Sequence, residues 1–375
     1  MERYGNIYKG ICEYDNLYEA HINAQRDKQY YKEVKMINAN PKPYLKQIQG
    51  TLVNKTYRVS PYVKQTINDK GKQRDLYKLP YFPDRIVQWA IMLKIEPIFM
   101  KSFTDFTCAS IKDRGIRRAR ELSIQAVTDC REDTTYCLKI DVRKFYPSIN
   151  KDILKQMLRR KFKDPDLLWL LDTIIDSFPE PKGVPIGSYL SQYLANFYLT
   201  GFDHWLLEVE RPKKIVRFMD DVTIYARDKD DLHRLMTDID QYMTTKLDLQ
   251  VKDNWQVFPT AVRGVDFVGY RFFPDFILLR KNTCGRFKAL ALAVRDKQDK
   301  GLMINGHEFS GLNSYAGYLW NCDSWRLFEK YIEPVIPSLK LYYEKVIMKD
   351  ASSKKRYLRT RRYVNRLMKK KGRRP

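Results

Sequence analysis

The feature that most constrains the fold is a pair of adjacent aspartates between two short apolar stretches. Residues 213–228 read KKIVRFMDDVTIYARD, which predicts a strand, a tight turn and a second strand, with Asp220 and Asp221 at the turn. Neighbouring like charges repel, so such a pair is normally solvated or neutralised by a cation. The segment therefore predicts a β-hairpin that carries two carboxylates at its tip.

A third acid occupies an otherwise apolar strand. In residues 134–150, TTYCLKIDVRKFYPSIN, the apolar side chains alternate and Asp141 lies on the opposite face from Ile140. If this strand pairs beside the hairpin, three carboxylates converge, and such hard oxygen ligands suit Mg²⁺. Two ions about 3.5–4 Å apart would serve phosphoryl transfer. The alternative is that two aspartates at a turn are only turn chemistry and Asp141 only an edge residue.

The rest of the chain predicts a split β-α-β order, strand–helix–strand–strand–helix–strand, flanked by helical segments. More local expectations accompany it. They are a turn at 68–71 before a strand that stops at Pro80, a helix capped by Asp84 that ends before Pro97, a loop at 183–187, one long helix through Trp205, a strand near 247–252, a hairpin at 265–273 and mostly helix over 281–350.

The charge of the chain indicates nucleic acid as a partner. The 375 residues carry a formal net charge of +24, and residues 351–375 hold 12 Lys and Arg and no acid. Many of the 26 Tyr lie among Lys and Arg, a combination that suits stacking and phosphate contacts. An ordinary basic protein with a solubilising tail is the alternative. The 44% hydrophobic content argues against a disordered chain.

Other classes find no support in the sequence. No run approaches the roughly 18 apolar residues of a membrane helix. The first residues contain early acids and no apolar centre, unlike a signal peptide. The six cysteines form no CxxC pair, so neither a zinc site nor a disulfide framework is expected. We expect reduced thiols, a cytoplasmic location and no membrane partner.

These motifs, taken in order, resemble those of reverse transcriptases. The matching segments are RFMDD (217–221), similar to the Y/F-x-D-D signature; KIDVRKFYPSI (139–149), similar to motif A; GVPIGSYLSQYLANFYL (183–199), similar to the loop and helix before the hairpin; VDFVGYRF (265–272), similar to the primer grip; and YFPDRIVQWAI with IEPIF (81–91 and 95–99), similar to the fingers. The resemblance covers roughly residues 60–280.

The resemblance implies an α+β right-hand polymerase with fingers, a palm whose small antiparallel sheet carries the two-aspartate hairpin, and a helical thumb. The domains that it implies are an N-terminal helical extension at 1–60, fingers at 61–135, palm at 136–280, thumb at 281–350 and a basic tail at 351–375.

The resemblance also implies the catalytic and metal-binding residues. Asp141 and Asp220 would be the principal ligands of two Mg²⁺ ions, with Mn²⁺ as the substitute, supported by Asp221 and the Val142 carbonyl. Relatives usually have a lysine after the hairpin that protonates the leaving pyrophosphate. Here that place is Trp255 and the nearest lysine is Lys252, which puts a general acid in doubt.

Nucleotide and primer contacts follow from the same resemblance. Each of these residues has an ordinary structural alternative, as a core aromatic, a solvated cation, a helix residue or a plain strand residue. The set is Tyr146 against the ribose 2′-OH, Arg74 and Arg85 on the triphosphate, Ile186, Gly187 and Gln192 near the nascent base pair, and Gly269 and Tyr270 as the primer grip.

The subfamily signal lies in residues 186–192, which read IGxxxSQ where many prokaryotic relatives read QGxxxSP. This resembles reverse transcriptases of diversity-generating retroelements, which copy inaccurately opposite template adenines. Such enzymes use a structured template RNA, an RNA/cDNA duplex, deoxynucleoside triphosphates and a small basic accessory protein that forms a pentameric ring. An antiphage-defence reverse transcriptase of the abortive-infection type, and a non-catalytic RNA-binding scaffold, remain the alternatives. Retron and group II intron enzymes resemble the chain less.

Overall fold

The computed structural model of the protein describes residues 3–69, 72–129 and 131–347. The basic tail at 351–375 lies outside the described residues, as do two residues of the predicted turn at 68–71. The described residues form two compact units, one within residues 3–122 and 136–258, the other within residues 123–135 and 259–347. The expected division into fingers, palm and thumb stays a prediction.

The first unit combines many helices with two sheets. Its helices are α1 (Tyr8–Cys12), α2 (Tyr14–Ala24), α3 (Lys32–Ala39), α4 (Pro41–Val53), α5 (Ile86–Met100), α6 (Gly115–Thr128, which continues into the second unit), α7 (Phe145–Ser148), α8 (Lys151–Lys161), α9 (Pro165–Asp176), α10 (Tyr189–Tyr198), α11 (Thr200–Trp205) and α12 (Lys229–Leu247). Single π-helical turns span Tyr81–Arg85 and Leu206–Glu210. Its strands are β1 (Val63–Asp69), β2 (Lys72–Lys78), β3 (Tyr136–Asp141), β4 (Lys214–Phe218), β5 (Asp221–Ala226) and β6 (Gln256–Pro259).

The second unit is a small sheet followed by a group of helices. Its elements are α13 (Thr260–Arg263), β7 (Val265–Phe267), β8 (Tyr270–Phe272), β9 (Ile277–Leu279), α14 (Lys281–Asp299), α15 (Gly306–Trp320), α16 (Trp325–Tyr331), a 3₁₀ turn (Glu333–Val335), α17 (Ile336–Tyr342) and a π-helical turn (Tyr343–Ile347). The hairpin at 265–273 and the helical content after residue 281 agree with the sequence prediction. No helix in the described ranges has both the length and the apolar character needed to cross a bilayer.

A four-stranded antiparallel sheet, ordered β4-β5-β3-β6, organises the first unit. The alternating apolar residues of β3 and β5 are buried, and α12 packs against both strands. The unit's apolar core continues from this sheet into the N-terminal helices. The architecture is therefore α+β, with a small antiparallel sheet among helices, as the sequence predicted. The order of strands and helices also follows the predicted split β-α-β pattern.

The helix after residue 84 differs from the prediction at both ends. Asp84 does not cap it: the side chain is fully buried, and its Oδ1 accepts hydrogen bonds from the Tyr57 hydroxyl (2.7 Å) and the Ser60 N–H (3.1 Å). Helix α5 also continues through Pro97 to Met100. An interior proline costs about 3 kcal/mol. Most of α5 is buried in the core, and this packing outweighs the lost backbone hydrogen bond.

Two further predictions are corrected. Residues 247–252 form no strand, because α12 ends at Leu247 and Asp248 adopts a left-handed conformation (φ +51°) that interrupts an extended chain. Only Val251 pairs there, with Val142. The predicted long helix through Trp205 is divided into α10 and α11, which meet at Leu199.

Candidate active site

The hairpin of β4 and β5 places Asp220 at its tip. Phe218 pairs with Asp221, so only Met219 and Asp220 form the turn, and Met219 takes a positive φ of +61°. Asp221 is the first residue of β5 rather than part of the turn. The Asp220 carboxylate is therefore attached to a turn, and the Asp221 carboxylate to a paired strand.

Strand β3 brings the third carboxylate to the same end of the sheet. Asp141 is the last residue of β3 and pairs directly with Asp221, as Ile140 pairs with Val222. Directly opposite residues in an antiparallel pair have Cβ atoms about 4.5–5.5 Å apart. The predicted convergence of Asp141, Asp220 and Asp221 is thus present in the fold, while their catalytic roles stay a prediction.

The carboxylates influence one another electrostatically. Burial raises the pKa of Asp220 to about 6, and the Asp141 carboxylate acts in the same direction, followed by Asp221. Two lysines form ion pairs with the carboxylates. Lys252 Nζ is 2.5 Å from Asp141 Oδ2, and Lys139 Nζ is 3.6 Å from Asp221 Oδ1. The chain's own cations therefore neutralise part of this negative charge.

Among the described residues, the site offers an unpartnered oxygen that a further cation could bind. Asp141 Oδ1 is buried and makes no hydrogen bond within the described part of the chain. A buried acceptor without a partner is unfavourable, and a metal ion would satisfy it. The backbone bonds beside Val142 use the Asp141 carbonyl and the Arg143 N–H, and neither uses the Val142 carbonyl. The donor set consists only of hard oxygens, which fits Mg²⁺ or Mn²⁺.

The carboxylates are not preassembled into a complete ligand set. Among the described residues, no three Asp, Glu, His or Cys side chains form a group able to hold a metal ion. The ion pair with Lys252 already occupies one oxygen of Asp141. A cation would therefore compete with this lysine for Asp141.

Tyr146 lies beside the tip of the hairpin. It belongs to the single turn α7, is half-buried, and its hydroxyl is 3.7 Å from the Met219 sulfur. Burial raises the pKa of Tyr146, and the negative charge of Asp220 raises it further. An aromatic ring so close to Asp220 is compatible with the predicted contact to a ribose.

The loop at 183–188 is fixed to the turn that contains Tyr146. Val184 N–H donates to the Tyr146 carbonyl (3.1 Å) and Gly183 N–H to the Ile149 carbonyl (2.7 Å). Gly183 has φ +95°, and a Cβ there would lie 2.9 Å from both Pro147 Cα and the Tyr146 carbonyl oxygen. Only glycine fits this position. Sequence reasoning did not single out Gly183, although its place in GVPIG marked the loop.

The predicted base-pair residues follow in this loop and in α10. Ile186 is half-buried, and Gly187 is exposed with φ +104° and has open space where a Cβ would lie. Ser188 caps α10 by accepting from Ser191 N–H, and its hydroxyl donates to Gln88 Oε1 on α5 (2.6 Å). Gln192 is half-buried one turn into α10. The loop is thus held at its two ends, while Gly187 remains accessible.

The two predicted triphosphate arginines are placed differently. Arg85 is half-buried, its Nε donates to the Ala24 carbonyl (3.1 Å), and burial lowers its pKa. Arg74 lies on β2 opposite Ile67, and its side chain lies outside the described part of the structure. Arg85 thus bonds to the end of α2, and the triphosphate-binding role of both arginines stays a prediction.

The predicted primer grip lies in the second unit. Gly269 has φ +94°, and a Cβ there would be 2.7 Å from the Tyr318 ring. Tyr270 is buried, with its ring centroid 5.4 Å from that of Tyr318. Packing of this hairpin against α15 therefore explains both residues structurally, and their contact with a primer stays a prediction.

Sequence reasoning missed Arg217, although it quoted the RFMDD segment. The side chain is fully buried behind the hairpin and bonded to Asp203. An arginine that alternates with Val216 and Phe218 in a strand was the available signal. Lys252 was noticed only as the nearest lysine, and its contact with Asp141 could not be predicted from spacing.

A helix-flanked antiparallel sheet with carboxylates on two adjacent strands agrees with the α+β architecture expected of a nucleic acid polymerase. The sequence model described as Reverse transcriptase (RNA-dependent DNA polymerase) matches residues 63–272, more than half of the chain. The chain belongs to this family, whose members are nucleotidyltransferases.

Individual relatives are distant. The chain is 26% identical over 274 residues to Protein YkfC of Escherichia coli strain K12, covering 70% of this chain and 64% of that protein. It is 25% identical over 178 residues to the group II intron-encoded protein LtrA of Lactococcus lactis subsp. cremoris, covering 44% of this chain and 28% of LtrA. The chain thus spans less than two thirds of either relative. An apo telomerase structure from Candida tropicalis, truncated from its C-terminal domain, aligns with 13% identity and a TM-score of 0.43, over 62% of this chain and 59% of that one.

Proposed function

We propose that this protein synthesises DNA on an RNA template, by attack of a primer 3′-OH on the α-phosphate of a deoxynucleoside triphosphate. The observation that carries the proposal is the convergence of Asp141, Asp220 and Asp221, with one buried Asp141 oxygen left without a hydrogen bond among the described residues. Membership of the reverse transcriptase family supports it. In such a reaction the protein mainly positions the reactants and balances charge.

Asp141 and Asp220 would hold two Mg²⁺ ions, or Mn²⁺, with support from Asp221 and the Val142 carbonyl. When bound, the ions would supply positive charge next to the attacking and leaving oxygens. Lys252 would leave Asp141 as a metal ion arrives, since both compete for the same carboxylate. The pKa of about 6 for Asp220 keeps it mostly ionised at neutral pH and available as a ligand.

The remaining contacts follow the same proposal. Tyr146, beside the hairpin tip, would exclude a ribose 2′-OH, and Arg74 and Arg85 would bind the triphosphate. Gly269 and Tyr270 would direct the primer end of an RNA/cDNA duplex. The net charge of +24 supports binding to such a duplex, because basic residues neutralise its phosphates.

The test is incorporation of labelled deoxynucleotides on a primed RNA by the wild-type protein and by Asp141→Asn. We expect the variant to lose at least 100-fold in rate and to bind RNA normally, because only a ligand charge is removed. Asp240→Asn, an exposed acid on α12, is the matched control and should act like the wild type. Normal synthesis by Asp141→Asn would refute the metal assignment.

We further propose that the enzyme belongs to the diversity-generating type and copies inaccurately opposite template adenine. The supporting observation is Ile186, which lies half-buried in the loop tied to Tyr146 through Val184. An apolar side chain near the nascent base pair forms no hydrogen bonds with it. A mismatched pair therefore forfeits fewer hydrogen bonds, relative to the correct pair, than it would beside a glutamine. About 1.4 kcal/mol, the scale of one hydrogen bond, changes discrimination tenfold.

Sequencing of cDNA made on a defined RNA tests this second proposal. We expect frequent errors opposite adenine and fewer opposite the other bases. Ile186→Gln should lower the adenine errors several-fold, whereas Ile186→Leu, which keeps the apolar character and size, should retain them. Uniformly low error at all four bases would contradict the proposal and favour an antiphage-defence enzyme.

The diversity-generating proposal carries further expectations. It includes a structured template RNA and a small basic accessory protein that assembles as a pentameric ring, both in the cytoplasm. A non-catalytic RNA-binding scaffold is the competing class, and the three retained carboxylates speak against it. Absence of any deoxynucleotide incorporation by the wild type would favour the scaffold.

A further inference from the structure

Arg217 lies directly behind the catalytic hairpin, in a fully buried polar network. Neither Arg217 nor Asp203, its ion-pair partner on α11, is exposed to solvent. The network also includes Thr107 and Asn196, and both are fully buried. Arg217 is the largest of the fully buried side chains in the described chain. A charged group in such a place requires complete pairing to be tolerated.

All five N–H donors of Arg217 are used. Nε and Nη2 bind the two carboxylate oxygens of Asp203, the former at 2.7 Å, and Nη2 also donates to Thr107 Oγ1 at 3.3 Å. Nη1 donates to Asn196 Oδ1 at 3.1 Å and to the Met219 carbonyl at 2.9 Å. A guanidinium has five donors, so this group is fully satisfied.

The bond to the Met219 carbonyl reaches the catalytic turn itself. That carbonyl belongs to the peptide group joining Met219 to Asp220. Met219 has a φ of +61°, which costs a non-glycine residue of the order of 1 kcal/mol and needs support from its surroundings. The guanidinium supplies that support from the buried side of the hairpin.

The backbone of Arg217 is fixed as well. Its N–H donates to the Phe106 carbonyl (3.0 Å), and its carbonyl accepts from the Cys108 N–H (2.9 Å). Thr107 forms a parallel bridge with Arg217. Segment 106–108 therefore fixes the backbone of β4 through hydrogen bonds. The Arg217 side chain fixes the turn through its bond to the Met219 carbonyl.

Stability alone does not account for this network. Replacing a buried ion pair with well-packed apolar residues is often neutral or stabilising. An apolar side chain, however, cannot bond to the Met219 carbonyl. We propose that Arg217, anchored by Asp203, Thr107 and Asn196, is a positioning residue that orients the Met219–Asp220 peptide and so places the Asp220 carboxylate for catalysis.

The test uses the full chain with both buried charges removed together, as Arg217→Met with Asp203→Leu. Because no lone charge remains, we expect the variant to fold, with a urea midpoint lowered only modestly by the loss of the bonds to the Met219 carbonyl, Asn196 and Thr107. Loss of the hydrogen bond to the Met219 carbonyl should nevertheless reduce kcat at least tenfold, with primer–template affinity unchanged. Amide hydrogen exchange in a peptide spanning 214–226 should accelerate. The matched control, Arg159→Met with Asp172→Leu, removes an ion pair between α8 and α9 and should change neither kcat nor this exchange.

Only the kcat measurement of this test depends on the proposed polymerase function. If the wild-type protein makes no DNA, the polymerase proposal fails, and hydrogen exchange alone decides the positioning role. Wild-type exchange in 214–226, or wild-type kcat, in the folded double variant would overturn the inference. Should the double variant not fold, Arg217→Lys is judged by the same criteria, since one ammonium group cannot serve Asp203, Asn196 and Met219 together.

Discussion

At the scale of single residues, Asp220 shows how a buried carboxylate beside other carboxylates opposes stability. Its folded pKa of about 6 exceeds the ordinary value of 3.8, because burial and the Asp141 carboxylate disfavour the ionised form. The folded state therefore holds more protons than the unfolded state between about pH 4 and 6. The free energy of unfolding contributed by this group consequently falls as the pH rises through that window.

We predict that Asp220→Asn abolishes DNA synthesis yet stabilises the fold at pH 7 by about 1–2 kcal/mol, allowing for solvent screening of the shift. The decline of stability between pH 4 and 6 should also become shallower. Urea unfolding at several pH values in the absence of divalent ions measures both effects, with Asp240→Asn as the exposed control. A variant less stable than the wild type at pH 7 would show that Asp220 is not electrostatically strained.

At the scale of elements, the loop at 183–188 depends on one glycine more than on another. Gly183 and Gly187 both have positive φ, but only Gly183 faces backbone atoms within 3.0 Å of a would-be Cβ. Alanine would therefore strain the backbone at either site. Of the two, only alanine at position 183 would also overlap the turn that contains Tyr146.

We predict that Gly183→Ala is destabilised by about 1–3 kcal/mol more than Gly187→Ala. It should also weaken selection against ribonucleotides, because the loop and the Tyr146 turn move apart. Denaturant unfolding and incorporation of ribonucleotides measure the two effects. Equal stabilities would mean that the 183–188 loop moves without cost, and that its hydrogen bonds to Tyr146 and Ile149 contribute little.

Local patterns predicted the elements well where propensity and packing agree. The alternation around Asp141 and the apolar residues beside Asp220 identified β3, β4 and β5, and Asn150 caps α8 as its sequence position indicates. Local rules were wrong at Pro97 and Asp84, where burial in the core decided the outcome. The left-handed conformation of Asp248 also prevented the strand that the pattern at 247–252 had predicted.

Long-range contacts of the site were beyond local patterns. Lys252 reaches Asp141 because the chain after α12 returns beside β3, and Gly183 meets Pro147 because the loop at 183–188 contacts α7. The side-chain partners of Arg217 come from three separate segments of the chain, so residue spacing in the sequence could not predict them. The sequence could indicate which residues are unusual, but only the fold shows what each one contacts.

At the scale of the whole molecule, positive charge is shared between the tail and the rest of the chain. Half of the net charge of +24 is accounted for by the 12 basic residues of 351–375. The remaining 350 residues therefore keep a formal charge of +12. We therefore expect RNA binding to persist without the tail.

We predict that truncation after Asp350 weakens RNA binding and makes the plot of log K against log salt shallower, because fewer counterions are released. Titrations at several salt concentrations measure the slope. A chain with the tail residues in scrambled order should keep the wild-type slope, since total charge is unchanged. An identical slope after truncation would place all phosphate contacts within residues 1–350.

The pairing of residues 106–108 with Arg217 also bears on how the protein folds. Thr107 and Arg217 are 110 positions apart in the chain. Closing so long a loop is entropically costly, and pairings of high sequence separation form slowly. During synthesis, the earlier strand-like segment must wait on the ribosome until the hairpin emerges. We therefore expect the Met219–Asp220 turn to acquire its final shape among the last steps of folding, after the N-terminal helices have already packed together.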